Sequence, residues 1–533
     1  MQRKYWRLTI MIAACACCLL FCIFVGHIVA SPKQLNVLFI MCDDLNDYEG
    51  VFGGHPQART PNIDRLAASG VVFANAHSNA PVCAPIRAAM FTGIYPHTSG
   101  NYFFDNWSKN PVLNDSKTIM QYMRDNGYTA IGSGKLMHHH VRSEWSDFGV
   151  KNYAGPVAYN GKTAVGHPSV PAEYSKQGLL DGTFASLGDV PVVSASKDAP
   201  GFSGWWDAQR QKKFRYVNDE NRDLMRDEES AEWVAGKIRE LDSANGDVPF
   251  FLAVGFSKPH TPLVAPQKYY DMFPLESITL PVIKKGDAED CHYAENFPAN
   301  QKGLRFYRAL KASYPTIEEG LKHYIQAYLA CVVFADAQVG KVLTALEQSR
   351  FRDNTIVVFT SDHGYDFGEK EYLFKNSLWE NSTRVPFVIR MPGNSVNAGK
   401  KVAHPVSLID LYPTLVDLCK LQGDTKKNRN GADLDGHSLK PLLENPSAGR
   451  WDGPNVALTM VHSPGPDNVA KEKNYAVRSR DWRYILYKNG AEELYDHRSD
   501  AHEWTNLADD PDYADKKTEM RRQLFELVPE LAR

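Results

Sequence analysis

Four apolar runs, each ending in a charged residue or a histidine, constrain this 533-residue chain more than any other feature. The first spans Gln34 to Cys42 and stops at Asp43-Asp44. The second, Thr129 to Gly134, stops at Lys135. The third runs from Asp247 to Ser257, with His260 just past its end. The fourth, Asn354 to Tyr365, carries Asp362-His363 at its carboxyl end. Most of these runs are rich in Val, Ile and Phe with little polar alternation. They predict strands buried on both faces, the environment of a parallel sheet. Helical grammar fills the intervals. Thr60 to Val71 places Pro61 in a first turn and Gly70 at a stop, Thr118 to Tyr128 repeats the pattern, and Tyr324 to Gln348 spaces small and apolar residues at helical period. The alternation predicts an α/β fold, a large, mostly parallel or mixed sheet sandwiched by helices. Ligands in such folds lie beyond the carboxyl ends of the strands. The two acidic steps, Lys135 and His260 all fall there.

The two ends of the chain follow other rules. Arg3, Lys4 and Arg7 precede an apolar run to about Val29, and Ala30-Ser31-Pro32 follows. Residues 1–30 are therefore expected to be a secretory signal cleaved after Ala30, giving a secreted or periplasmic protein. The run is also long enough for an uncleaved membrane anchor, and Ile12-Ala13-Ala14-Cys15 has a lipobox pattern, so an anchored or lipidated form stays open. Residues 31–420 carry the α/β pattern, interrupted from about Gly155 to Asp227 by loops that border the expected cleft. Tyr475 to His497 alternates around Lys488-Asn489-Gly490, a hairpin signal, and a helix is expected from Tyr513 to Leu531. Residues 421–533 thus predict a smaller C-terminal α+β subdomain with an antiparallel sheet. A net charge of −3 gives no basis for nucleic-acid binding. Five cysteines lie beyond the N-terminal segment: Cys42, Cys83, Cys291, Cys331 and Cys419. They show neither zinc spacing nor a disulfide framework, and their odd number leaves at least one unpaired.

Asp43-Asp44 and Asp362-His363 together suit a divalent cation, because neighbouring carboxylates repel and oxygen donors favour Ca²⁺ or Mg²⁺. The alternative is that Asp43-Asp44 merely caps the next segment. Cys83 opens a candidate helix through Arg87, where positive potential favours anions. The alternative there is a small buried cysteine.

Cys83-Ala-Pro-Ile-Arg87, followed by Thr92-Gly93, resembles the C-x-P-x-R signature of the type I sulfatases in the alkaline phosphatase superfamily. Asp43-Asp44, Gly134-Lys135 with His138, Lys258-Pro259-His260, Ser361-Asp362-His363-Gly364, Lys375, Val385-Pro386, Asp410 to Thr414 and Leu434-Asp435-Gly436 follow in the family's order. The likeness runs from about Asn36 to Leu507. The pair Lys135 and His138, the run to His260, and His363 in place of Asn look most like the iduronate-2-sulfatase-like subgroup. The resemblance implies an alkaline phosphatase-like fold and removal of sulfate from a carbohydrate, a glycosaminoglycan or another sulfated polysaccharide. It implies that a formylglycine-generating enzyme oxidises Cys83 to formylglycine, whose hydrate is the nucleophile. Asp43, Asp44, Asp362, His363 and the oxygen at position 83 would hold Ca²⁺, or Mg²⁺. Arg87 and His138 would position the hydrate, and Lys135, His260 and Lys375 would bind sulfate. The motif departs from the family at Ile86, where a small residue is usual, and bulk there would slow formylglycine formation. A phosphomonoester or phosphonate ester hydrolase of the same superfamily and an inactive sulfated-glycan-binding protein are the alternatives. The pocket rim is expected from residues 99–110, 150–230 and the hairpin after Arg478, with Asn101, Asp105, Trp206 and Arg478 as candidates.

Overall fold

The computed structural model describes residues 34–532 apart from 152–153, 245, 247, 394–395, 448–449 and 464–468. The expected signal or anchor, residues 1–30, lies outside the described residues. The large sheet contains β1 (Asn36–Asp43), β2 (Val71–Phe73), β3 (Thr129–Gly134), β4 (Asp147–Lys151), β5 (Phe250–Pro259), β6 (Thr355–Ser361), β7 (Phe387–Arg390) and β8 (Lys401–Val402). Their order is β8-β2-β7-β6-β1-β5-β3-β4. From β6 to β4 the strands are parallel, while β7 runs antiparallel to β6 and β2, so the sheet is mixed.

Every residue of β1, β5 and β6 is buried, which is why these strands read as unbroken apolar runs. Successive side chains face opposite ways. Leu38, Ile40 and Cys42 enter a core shared with Ile63 and Leu66 of α1 (Pro61–Ser69). Phe39 points the other way and meets Phe91 of α2 (Cys83–Thr92), ring centroids 5.5 Å apart. On the first face, α3 (Arg226–Ser243) and α4 (Ile317–Glu347) complete the layer through Val234, Ile238, Val332 and Val339.

Helix α4 starts earlier than its apolar spacing predicts. The Thr316 side chain accepts the Glu319 N–H (3.2 Å), and Glu318-Glu319 favour that terminus electrostatically. Farther along α4, Asp336 turns to the start of α1 and accepts the N–H groups of Asn62 (3.1 Å) and Ile63 (2.8 Å), donors that have no partner within the helix.

Beyond residue 450, β9 (Ala457–Val461), β10 (Asn474–Arg478), β11 (Trp482–Leu486) and β12 (Glu492–Asp496) form an antiparallel sheet in chain order. The turn expected at Lys488-Asn489-Gly490 joins β11 to β12, with Gly490 at φ +87°. One face packs on Met520 and Leu524 of α5 (Ala514–Leu527), and the other gives Ala476 and Ile485 to the main core. The segment read as loops between Gly155 and Asp227 contains a second small sheet of short strands, including Val157–Tyr159 and Trp205–Asp207. Two or three residues per strand are too few to show an alternating pattern.

Candidate active site

Parallel register brings four strand ends to one edge. β1 pairs with β6 through Cys42 and Ser361, so Asp43 and Asp362 emerge side by side. On the other flank Asp43 pairs with Pro259 of β5, and His260 follows. Gly255 of β5 pairs with Gly134 of β3, and Lys135 follows. Gly134 sits at φ +78°, and a Cβ there would lie 2.0 Å from the Gly255 carbonyl oxygen. Only glycine allows the strands to close so tightly, and the closure lets the Lys135 N–H donate to Gly255 O (2.7 Å).

Helix α2 enters the same edge from the opposite face with all ten residues buried. It begins at Cys83, one turn before Arg87. Cys83 Sγ lies 3.4 Å from Asp43 Oδ1, 3.3 Å from His363 Nε2, 3.2 Å from Lys375 Nζ and 3.8 Å from Lys135 Nζ. Arg87 donates from Nε to Asp362 Oδ2 (2.9 Å), and its Nη1 donates to the carbonyls of Lys135 and Leu136. Lys375 pairs with Asp44 Oδ1 at 2.5 Å, and Lys135 pairs with Asp43. His363 Nε2 is 3.5 Å from both Asp44 Oδ1 and Asp362 Oδ2. The donor atoms of Asp43, Cys83, Asp362 and His363 lie within 4.8 Å of one another, as do those of Asp43, Asp44, Cys83 and His260.

Burial sets the protonation of this cluster. Burial pushes the Cys83 thiol up to about 12, with Lys375 opposing, so an unmodified Cys83 is a neutral, weakly nucleophilic thiol. Burial also pushes Asp44 up to about 6 against the pull of Lys375. Burial would raise Asp362 too, but Arg87 and the two lysines hold it well below the usual carboxylate range. Lys135 falls to about 7 through burial and the neighbouring Lys375. Lys375 is pulled down by burial, yet Asp44 and Asp362 outweigh that and keep it firmly charged. His363 drops to about 3, chiefly by burial. Its Nδ1 faces Gly364 O (3.2 Å), which places the proton there and leaves the Nε2 lone pair toward the carboxylates.

A cavity of about 440 Å³ opens above Cys83, lined by Lys135, His138, His260 and Lys375 among others. His138 stands on its wall with its ring 5.1 Å from Phe104. His260 directs Nδ1 to Thr261 O (2.6 Å), so its Nε2 is the atom free for other chemistry. The structure therefore brings Asp43, Asp44, Cys83, Arg87, Lys135, His138, His260, Asp362, His363 and Lys375 to one place.

The rim differs from its expected makeup. Segments 99–110 and 150–230 contribute Phe103, Phe104, Leu180 and Asp181, but Asn101, Asp105 and Trp206 do not line the cavity. Asn101 is buried, and Trp206 stacks on Tyr159 (4.3 Å). The C-terminal contribution is His462. Arg478 is tied to Glu380 (3.0 Å) and lines a separate cavity. Sequence reasoning also missed Asp227, whose carboxylate accepts the N–H groups of Ser257 (2.8 Å) and Lys258 (2.9 Å) and so sets the path of the chain into His260.

Residues 35–421 match the family model described as Sulfatase, and residues 368–530 match that described as N-sulphoglucosamine sulphohydrolase, C-terminal. A protein of Formosa agariphila named Sulfatase is 34% identical over 479 residues, covering 89% of this chain and 83% of the relative. The Iduronate 2-sulfatase of Mus musculus is 29% identical over 513 residues, covering 86% of this chain and 85% of the relative. The solved structure of a phosphonate monoester hydrolase of Agrobacterium radiobacter shares the fold, with a TM-score of 0.65 at 22% identity, covering 93% of this chain and 96% of that one.

Proposed function

The chain belongs to the sulfatase family, and on that premise we propose that it is an exported enzyme that removes sulfate from a sulfated carbohydrate, a glycosaminoglycan or another polysaccharide, with formylglycine at position 83 and a divalent cation. The observation that carries this reading is the convergence of two acidic strand ends and two lysines on Cys83 Sγ, within 3.2 to 3.8 Å for its four side-chain neighbours. That sulfur stands for an oxygen of the hydrated aldehyde that a formylglycine-generating enzyme would install.

Asp43, Asp44, Asp362 and His363 would hold the cation, calcium or, as the alternative, magnesium. The donor set fits a hard ion, because three buried carboxylates supply oxygens and the neutral His363 offers Nε2. When present, the cation and the hydrate supply Lewis acidity and the nucleophile.

The chain's own groups do the rest. Lys135 and Lys375 face the position a sulfate group takes above residue 83, and their charges offset the charge that builds on its oxygens in the transition state. Arg87 keeps Asp362 ionised and oriented. His138 stands on the cavity wall above position 83, where it helps position the hydrate. Burial and the charges of Lys135 and Lys375 hold His260 neutral in the free enzyme. A sulfate group between them screens both lysines, so His260 Nε2 gains a proton only with substrate in place and can pass it to the departing oxygen.

Export through residues 1–30, released or retained as a membrane or lipid anchor, fits a polymer that remains outside the cytoplasm. Peptide mass spectrometry across Cys83, with sulfate and phosphate release from matched esters, tests the proposal. Aldehyde at position 83 with faster sulfate release is the expected result. Faster release from phosphate or phosphonate esters would favour that chemistry instead, and cysteine alone with no turnover would favour a glycan-binding protein.

A further inference from the structure

The ring that carries the sulfate must sit in the cavity above Cys83, and the walls of that cavity limit what the ring can be. Phe103, Phe104, Phe297 and Phe374 are among the residues that line the cavity. Phe103 stacks on His462 with centroids 4.9 Å apart, and Phe103 and Phe104 meet edge to face at 4.7 Å, so this wall is braced rather than loose. Three lysines line the cavity among the described residues, and no arginine does. Two of them, Lys135 and Lys375, point at the sulfur of Cys83. The third, Lys302, is ion-paired with Asp181 (3.0 Å). Asp181 is itself fixed by the Thr261 hydroxyl (2.8 Å), next to His260. Two of the three histidines on the wall add no charge: burial and nearby lysines lower both His138 and His462 to about 4. Lys473, the first-named charge acting on His462, is buried at 2% exposure with its ammonium 4.9 Å from the Tyr102 ring.

A uronic acid ring would bring a second anion into this space. Its carboxylate would lie against phenylalanine and beside the Asp181 carboxylate, and Lys302, the one lining lysine that does not face Cys83, is already paired with Asp181. A neutral ring meets none of these costs. Its C–H face can lie on the phenylalanines, while its hydroxyls can donate to Asp181 and exchange hydrogen bonds with Asn300, which also lines the wall. We propose that this enzyme acts on a sulfated sugar whose ring is neutral apart from its sulfate, a hexose-type unit, and discriminates against sulfated uronic acids. The proposal rests on the sulfatase reading above and narrows it. The discrimination is built from a repelling carboxylate as well as an accepting wall.

The test uses the full protein, matured with a formylglycine-generating enzyme and supplied with calcium. Sulfate release is compared for monosulfated methyl galactosides and for methyl galacturonides sulfated at the same ring positions, with 4-nitrophenyl sulfate as the common reference. We expect kcat/KM to favour a galactoside over the matched galacturonide by at least tenfold. The same order is expected in Kd for the Cys83→Ala protein, measured calorimetrically with the intact sulfated sugars, where maturation plays no part. Equal or faster turnover of the galacturonide would overturn the inference and leave the sulfatase reading standing, as would cleavage of the aryl ester with neither sugar bound nor cleaved. Failure to release sulfate from any ester, the aryl ester included, would overturn the sulfatase reading and this inference with it.

Discussion

Arg87 grips Asp362 through a single oxygen: Nε and Nη2 both lie 2.9 Å from Oδ2. The other oxygen, Oδ1, is thereby turned to the backbone, where it accepts the N–H groups of Asp44 (3.3 Å) and His363 (3.0 Å). One guanidinium on α2 thus sets both acidic strand ends at once. Both side chains are fully buried, and removing one partner of a buried pair typically costs about 3–5 kcal/mol. Arg87→Leu should therefore lower the urea midpoint by a corresponding amount and abolish sulfate release. Arg87→Lys keeps the charge but not the fork, so it should lose most activity with a smaller loss of stability. Urea melts of the two variants, with activity assayed in parallel, check this.

Lys135 and Lys375 approach Cys83 Sγ from two directions, at 3.8 and 3.2 Å. If both face the sulfate oxygens, Lys135→Ala and Lys375→Ala should each reduce kcat by about 10²–10³-fold, the usual loss for one preorganised donor. Lys375→Ala carries an extra effect. It leaves Asp44, already raised to about 6 by burial, without its ion-pair partner, so Asp44 should titrate higher still. Steady-state kinetics of both variants from pH 6 to 8 would expose the difference, with Lys375→Ala losing more of its remaining activity at the acid end.

Three buried carboxylates facing one another are costly in the folded chain and far cheaper in the unfolded one. A cation that binds only the folded state should therefore stabilise it by RT ln(1 + [L]/Kd), about 2.7 kcal/mol at a hundredfold excess over Kd. Calcium added to chelator-treated protein should raise Tm in proportion to the logarithm of its concentration. Asp44→Asn should shift that response to higher calcium. A melting curve indifferent to calcium, to magnesium and to chelator would count against a metal held by these residues.

The strand ends were legible because β1, β5 and β6 are buried on both faces, and such strands are written as apolar runs that give way to charged residues or histidine near the sheet edge. Asp43, Lys135, His260 and Asp362 could be placed in this way. Lys375 could not: it lies in a loop after Phe374, followed by Asn376 at φ +71°, and only the family resemblance pointed to it. The cavity wall was harder still, because Phe103, Asp181, Phe297 and His462 come from four separate loops with no shared period. Arg478 was misread for a related reason. Its alternating strand was visible, but its partner Glu380 lies 98 residues away, and pairing at that distance leaves no local pattern.

Gly134 offers a test of how tightly β3 and β5 must close. Alanine there would meet both an unfavourable left-handed backbone and the Gly255 carbonyl oxygen, 2.0 Å from its Cβ. A non-glycine residue in a sparsely populated backbone region costs about 1–3 kcal/mol before any clash is counted. Gly134→Ala should exceed that range in chemical denaturation. It should also reduce activity more than an equally destabilising core substitution such as Val234→Ala, because it moves the Lys135 and Leu136 carbonyls that hold Arg87. Equal activity at matched stability would sink the idea that this closure positions the site.

Asp227 provides a pH-dependent test away from the proposed cation ligands. Burial raises its carboxyl from 3.8 to about 6, even though the N–H groups of Ser257 and Lys258 pull the other way. Across pH 4 to 6 the folded chain therefore keeps a proton that the unfolded chain has released. The carboxyl's favourable contribution is complete below about pH 4 and is lost as the pH rises through 6. Two pKa units correspond to about 3 kcal/mol. Asp227→Asn does not titrate, so the stability of the wild type relative to Asp227→Asn should fall by an amount of this order between pH 4 and 6.5, while the titrations common to both proteins cancel. A difference that stays flat, or that grows with pH, would mean that the two backbone donors dominate over burial and that Asp227 is charged throughout. The Asn side chain can also accept only one of the two N–H groups, so the chain entering His260 should loosen. In the variant kcat should then fall at every pH, with KM for an aryl sulfate changing less.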